Sequence, residues 1–441
     1  MRSSHNLARV ETTFDDDNVV PNAGLQAPAA IAQKLGVGAL VDARVKLPAD
    51  AEGRANCGVK ALTVVGAMLT GGDSIDDCAV LRAGAAPEVF TGTRAPSTIG
   101  TWLRGFNWAA VRMFDAVTRI VLARAWAAGL GPDLDADQVI DVDSTICQTY
   151  GTAKQGAKFG YTKVRGYHPL LATLVGTGEV LHARMRGGNA GSARGSGTFI
   201  RETLRRVRDA GAIGALTVRA DSAFYSRAFI TGCAAHDARF SVTVKLLKPI
   251  REAIEAIPDE AWVPIDYWMD GGADVAETTY TAFKGTKDRR ELRLIVRRVR
   301  PTPGSQLALD VVHDYHPMLT DRPGRTIDLE ADHRRHAVVE LAIRDLKAGG
   351  LAHVPSGKFA ANAAWLVLAC LAHNIARWTL RAAGQQWADA TSDTLRRKII
   401  TMPARVVHGA RTIKLRFPRN WPWADAYQAA LTTIRAMPAP T

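Results

Sequence analysis

Residues 138–150 read QVIDVDSTICQTY. Val139, Ile140, Val142 and Ile146 favour an extended chain, and the two-residue period of a strand puts Asp141 and Asp143 on one face. A buried strand that ends in carboxylates invites a metal ion. Two later acids, Asp221 in VRADSAFYS and Glu340 in HRRHAVVELAIRDLK, decide whether that invitation is real. The expectation is that Asp143, Asp221 and Glu340 meet in space.

The chain around this strand changes character several times. Residues 1–135 are mainly helical in pattern. An apolar helix over 59–69 ends at Gly71 and Gly72, and Ser74 with Asp77 resembles a capping box that opens a short second helix. A third helix starts near Pro96, and 106–130 reads as one long helix with Val111, Phe114, Val117, Ile120 and Val121 as its buried stripe. With Arg94 and Arg104, the earlier helices are open to two readings: a helix-turn-helix for a major groove, or plain helical packing.

Strand patterns follow. Residues 139–147, 168–176 and 180–185 are strands, the last two joined at Thr177 and Gly178 as a hairpin. A helix over 199–210, a strand over 215–220 that delivers Asp221, a helix over 226–235 and a strand over 240–246 complete a β-β-β-α-β-α-β order. That is the order of an RNase H-like domain. Residues 250–325 carry further strand patterns, at 278–283, 292–299 and 307–313, and form a β-rich insertion. Helix returns at 333–348, where Val339, Ile343 and Leu346 are the buried stripe and His336, Glu340, Arg344 and Lys347 share the other side. The expected organisation is an α/β protein: a helical N-terminal DNA-binding domain (1–135), an RNase H-like catalytic domain in two parts (136–249 and 326–385) around the insertion (250–325), and a basic C-terminal region (386–441).

Charge narrows the partner. At 441 residues, the chain carries a formal net charge of +13, and such a surplus of Lys and Arg favours a polyanion, with nucleic acid first. The five cysteines are scattered and never spaced C-x-x-C, so neither a disulfide framework nor a zinc site is indicated, and a reducing cytoplasm fits. The N-terminus has no apolar core of a signal peptide. The apolar run 363–372 is interrupted soon after by His373, Asn374 and Arg377, which predicts a buried helix and no membrane span. No G-x-x-x-x-G-K-[ST] is present, which argues against ATP.

Three carboxylates drawn from a first strand, a later strand end and a helix form the arrangement needed to hold two divalent ions. Their hard oxygens suit Mg²⁺ or Mn²⁺, and the matching reaction class is phosphodiester hydrolysis or transesterification. Tyr161, Lys163 and Arg165 in GYTKVRGYHPL interleave aromatic and basic side chains, which suits DNA backbone contact and base stacking as well as an ordinary exposed loop. Trp262 and Trp268 in the insertion are open between core packing and stacking on a base. H-D-Y-H at 313–316 reads as a solvated turn, and Cys147 as a small buried residue.

DVDST, RADSAFYS and the spacing H-x-x-H-x-x-x-E-x-x-x-x-x-x-K over 333–347 resemble the DDE transposases of bacterial insertion sequences. GAMLTGGDSIDDCAVLRAG, APSTIGTWLRGF and YHPLLATLVGTGEVLHARMRGGNAG resemble the group of those elements numbered thirteen-eighty. The resemblance implies that Asp143, Asp221 and Glu340 are the metal ligands of a two-ion Mg²⁺ or Mn²⁺ site. It implies that Lys347 holds DNA, with His333, Arg335, His336 and Arg344 around it and Lys163, Arg165, Tyr161 and Trp268 as further contacts. His333 stands where Tyr is usual and His336 where Arg is usual, and a histidine clamps phosphate well only when protonated, with a reference pKa of about 6.5.

The expected activity is therefore binding of terminal inverted repeats, metal-dependent strand cleavage and attack of the freed 3′-hydroxyl on target DNA. A dimer would act in the cytoplasm, at the nucleoid, with no membrane and no ATP. The rival readings are a domesticated DNA-binding protein without catalysis and an RNase H-like nuclease without strand transfer.

Overall fold

The computed structural model describes residues 6–160, 162–300, 313–410 and 412–438. Its centre is a nine-stranded mixed sheet. The strands are β1 (Gln138–Ser144), β2 (Leu170–Leu174), β3 (Val180–Arg184), β4 (Leu216–Ala220), β5 (Ala238–Thr243), β6 (Val263–Ile265), β7 (Ala273–Ala282), β8 (Arg290–Val299) and β9 (Asp314–Thr320). They lie in the order β6-β7-β8-β9-β5-β4-β1-β2-β3. Only β1 with β4 and β4 with β5 run parallel; Asp141 and Asp143 lie on β1, and Asp221 directly follows β4. Their apolar side chains, Ile140, Val142, Val218, Ala220, Phe240 and Val242, are buried, as expected of parallel strands covered on both faces.

The strands of 263–320 do not form a separate sheet. β9 pairs with β5 and, on its other side, with β8, so this segment extends the central sheet. The H-D-Y-H stretch expected as a solvated turn contributes its last three residues to β9, where His316 pairs in register with Arg297. These three residues pair with β8, while β5 meets β9 only over 318–320, and such long-range pairing is not revealed by local polarity. Most of the strand expected over 307–313 lies outside the described residues, as does Tyr161.

Helices frame the sheet. From the first half come α1 (Cys57–Thr70), α2 (Pro96–Arg104), α3 (Trp108–Ala127), α4 (Ser196–Asp209) and α5 (Arg227–Ala234). From the second half come α6 (Thr326–Arg334), α7 (Val338–Lys347) and α8 (Phe359–Ala382). Asn107 caps α3 by accepting a hydrogen bond from the Ala110 N–H at 2.9 Å, which starts the helix two residues later than its apolar stripe suggests. Asp77 accepts from the Ser74 N–H and hydroxyl, as the capping-box spacing predicts, although the element it caps is a 3₁₀ turn over Asp76–Arg82. α1 is buried on most of its surface, and α2 buries Ile99, Trp102 and Leu103. α8 is long and apolar enough to cross a membrane by length and composition, but it is enclosed by the protein and packs on α1 and α3.

Candidate functional site

The register of two strands builds the site. β1 and β4 are parallel neighbours with Asp141 opposite Arg219 and Val142 opposite Ala220. One step further along come Asp143, still on β1, and Asp221, the first residue past β4. Each is fixed by a local backbone donor. Asp143 accepts from the Ser144 N–H at 2.6 Å, and Asp221, capping the 3₁₀ turn Ser222–Phe224, accepts from the Ala223 N–H at 3.0 Å.

Glu340 arrives from α7. Val339, Ala342, Ile343 and Leu346 bury one side of that helix, and Glu340, Arg344 and Lys347, three and four residues apart, share the exposed side. The Asp143 carboxyl is pushed up to about 6, by burial first and then by the negative charges of Asp221 and Glu340, against the Ser144 N–H and the His336 charge. Burial also raises Asp221, opposed by its backbone donors, His336 and Lys245. Asp143 thus feels the charge of both other acids.

Asp141 has a different role from Asp143. It is 0% exposed and forms a two-pronged ion pair with Arg219, Nε to Oδ1 at 2.7 Å and Nη2 to Oδ2 at 2.9 Å. Arg219, itself 1% exposed, also donates Nη1 to the Asp332 carbonyl and Nη2 to the Arg335 carbonyl at 3.4 Å. One guanidinium therefore joins β1 and β4 to the end of α6 and the turn between α6 and α7. His336 sits in that turn with Nδ1 3.2 Å from Asp141 Oδ1, close enough for charge pairing but not aligned as a hydrogen bond. Arg219 was not singled out from the sequence. Its signal was present in the matched spacings D-x-D and R-x-D, which in two parallel strands place the two pairs in register.

The residues expected around the acids fall into two groups. Lys347, Arg344 and Arg335 are exposed, and the Lys347 charge reaches the buried Cys147 thiol just beyond β1. Lys163 is exposed at a positive φ of 58°. Trp268 is 80% exposed beside Tyr267, whereas Trp262 is 9% exposed under the Arg298 guanidinium at 4.3 Å and belongs to the core. Two residues are engaged internally. His333 places Nδ1 2.6 Å from the Ser241 hydroxyl and Nε2 2.9 Å from that of Thr243, and burial lowers it to about 3, so it is neutral and has no free ring nitrogen for a phosphate. Arg165 donates to the carbonyls of Gly151 and Thr152 and so closes its own loop.

Asp143, Asp221 and Glu340 offer only hard carboxylate oxygens, and their mutual repulsion is the condition a divalent cation relieves, so the donor set fits Mg²⁺ or Mn²⁺. A second cluster, Asp115, His182 and Glu202, has ligand atoms within 4.8 Å of one another. Its carboxylates are already bonded to Arg112, Arg184 and Arg206. Three guanidiniums outweigh two carboxylates there, and burial with the nearby Arg206 lowers His182 to about 4, so this is an ion-pair network joining α3, β3 and α4.

The family model described as "Transposase DDE domain group 1" matches residues 3–439. No curated protein matches the chain. Among solved structures, the chain is similar to the piggyBac transposase in a cryo-EM synaptic complex with hairpin DNA, with a TM-score of 0.38 and 12% identity over 88% of this chain and 80% of that one.

Proposed function

Because the chain belongs to the DDE transposase family, group 1, we propose that it cuts the ends of an insertion sequence and joins them to target DNA, on an RNase H-like core. The observation that carries this reading is the parallel pairing that brings Asp143 and Asp221 to the same end of two neighbouring strands, where burial and then the charges of Asp221 and Glu340 raise the Asp143 carboxyl. In this reading Asp143, Asp221 and Glu340 are the ligands of two divalent ions. Bound there, such ions would supply an activated water and stabilise the attacking and leaving oxygens of an in-line displacement.

The chain's own residues do the rest. The Ser144 and Ala223 N–H groups hold two carboxylates in fixed orientation, and Arg344 and Lys347 lie along the same helix face as Glu340, where they meet the phosphates of the strand being cut. In the first step a water oxygen bonds to phosphorus and the bond to the 3′-oxygen breaks, which leaves a 3′-hydroxyl on the element. In the second, that 3′-oxygen bonds to a target phosphorus and displaces the target's 3′-oxygen. The ends are the terminal inverted repeats, and two copies of the chain act on the pair, in the cytoplasm at the nucleoid.

Purified protein incubated with Mg²⁺, labelled element ends and a target plasmid is expected to give joined products. Cut ends without joining would replace this reading with a nuclease, and shifted but uncut DNA with a binding protein. The two tryptophans give a separate contrast. Trp262→Ala is expected to cost about 3–5 kcal/mol in urea unfolding. Trp268→Ala should stay within about 0.5 kcal/mol of the parent protein yet weaken end binding by about 1–3 kcal/mol, the value of one stacked base. Unchanged binding by the Trp268 variant would remove that residue from the DNA interface.

A further inference from the structure

A second, smaller sheet has no part in the carboxylate site. Its central strand β10 (Ala404–His408) pairs on one side with the two residues Val19–Val20 and on the other with β11 (Ile413–Arg416). One face is closed: Ala404 and Val406 are buried with Val20, Ala85 and Ala86, and Leu415 packs against them. Alternation then sends Arg405, Lys414 and Arg416 to the other face, and all three are exposed. The register sets Arg405 directly opposite Arg416, with Lys414 two residues along opposite Val407.

Like charges directly opposite one another destabilise a strand pair. One carboxylate offsets them, Asp16, at 3.5 Å from Arg405. Among the described residues no carboxylate lies within ion-pair distance of Lys414 or Arg416. Protection of an open sheet edge explains basic residues on β11, the edge strand. It does not explain Arg405, which lies on the central strand. A polyanion laid across the face accounts for all three, because it turns the repulsion into three separate phosphate contacts.

We propose that this face of the β10–β11 hairpin is a docking surface for the backbone of duplex DNA, apart from the strand being cut. The proposal rests on the transposase reading for its choice of polyanion. The contacts are sequence-independent, since three cations on a sheet face meet phosphates and no base edges.

The test compares the full chain with Arg405→Gln/Lys414→Gln/Arg416→Gln and with Lys414→Gln alone. Binding to a duplex of arbitrary sequence is followed by fluorescence anisotropy from about 50 to about 200 mM salt. Each phosphate contact adds about 0.9 to the slope of log K against log salt, so the triple variant should lose about 2.7 of that slope and the single variant about 0.9. The melting temperature without DNA should stay equal or rise, because the Arg405–Arg416 repulsion is gone. Equal slopes for parent and triple variant would overturn the assignment of this face and leave the transposase reading standing. Absence of any salt-dependent binding by the parent chain would overturn both.

Discussion

Asp143→Asn is expected to make the metal-free protein more stable while removing strand cleavage. The Asp143 carboxyl is raised from 3.8 to about 6 in the folded chain, by burial and then by Asp221 and Glu340. An acid raised on folding is more readily ionised in the unfolded chain, so it lowers stability where both forms are charged. Below about pH 4 the cost is absent, it develops as pH rises towards about 6, and above that it is complete. That rise corresponds to about 3 kcal/mol. Urea unfolding in EDTA should therefore show the variant gaining up to about 3 kcal/mol on the parent at pH 7 and nothing at pH 4. Mg²⁺ in large excess reverses the order, since a ligand at about a thousand times its dissociation constant stabilises by about 4.1 kcal/mol, more than the variant's lead, and the variant lacks a ligand for it. A less stable variant at pH 7 in EDTA, or one that still cuts DNA, would mean that Asp143 is a structural acid.

This trade between stability and chemistry explains which parts of the site were legible in the sequence. The period-two pattern of QVIDVDS gives the strand and the shared face of Asp141 and Asp143. The helical period of 338–347 gives the face shared by Glu340, Arg344 and Lys347. Both are local properties of the chain, and both are seen in the structure. What a strand lies beside is not local. That β4 is the parallel neighbour of β1, that β9 runs between β5 and β8, and that Asp141 is therefore neutralised by Arg219, all follow from long-range pairing. Composition misleads where polar side chains serve the backbone. Arg165 sits in a stretch that reads as a DNA contact, yet the carbonyls of its own loop take its donors, and His333, aligned with a DNA-holding position, is held between two hydroxyls of β5.

Arg219 provides the second large effect. Its guanidinium spans a buried carboxylate on β1, the Asp332 carbonyl in the last turn of α6 and the Arg335 carbonyl in the turn that leads into α7, so it ties the strand that carries Asp143 to the approach of the helix that carries Glu340. Arg219→Met leaves Asp141 charged, fully buried and without its ion-pair partner, a loss of about 3–5 kcal/mol in urea unfolding. Replacing both partners, Asp141→Leu with Arg219→Met, removes the uncompensated charge and should return stability to within about 1–2 kcal/mol of the parent, since apolar substitutes for a buried pair are often neutral. The tether to the Asp332 and Arg335 carbonyls is not restored. The double variant is therefore expected to be folded and stable but to cut DNA poorly, and to need more Mg²⁺ for the same thermal stabilisation. That last measurement separates positioning from mere support, because a residue that only stabilises the core has no reason to alter metal affinity once stability is recovered. Parental cleavage and parental Mg²⁺ dependence in the double variant would show that the ion pair holds the sheet together and nothing more.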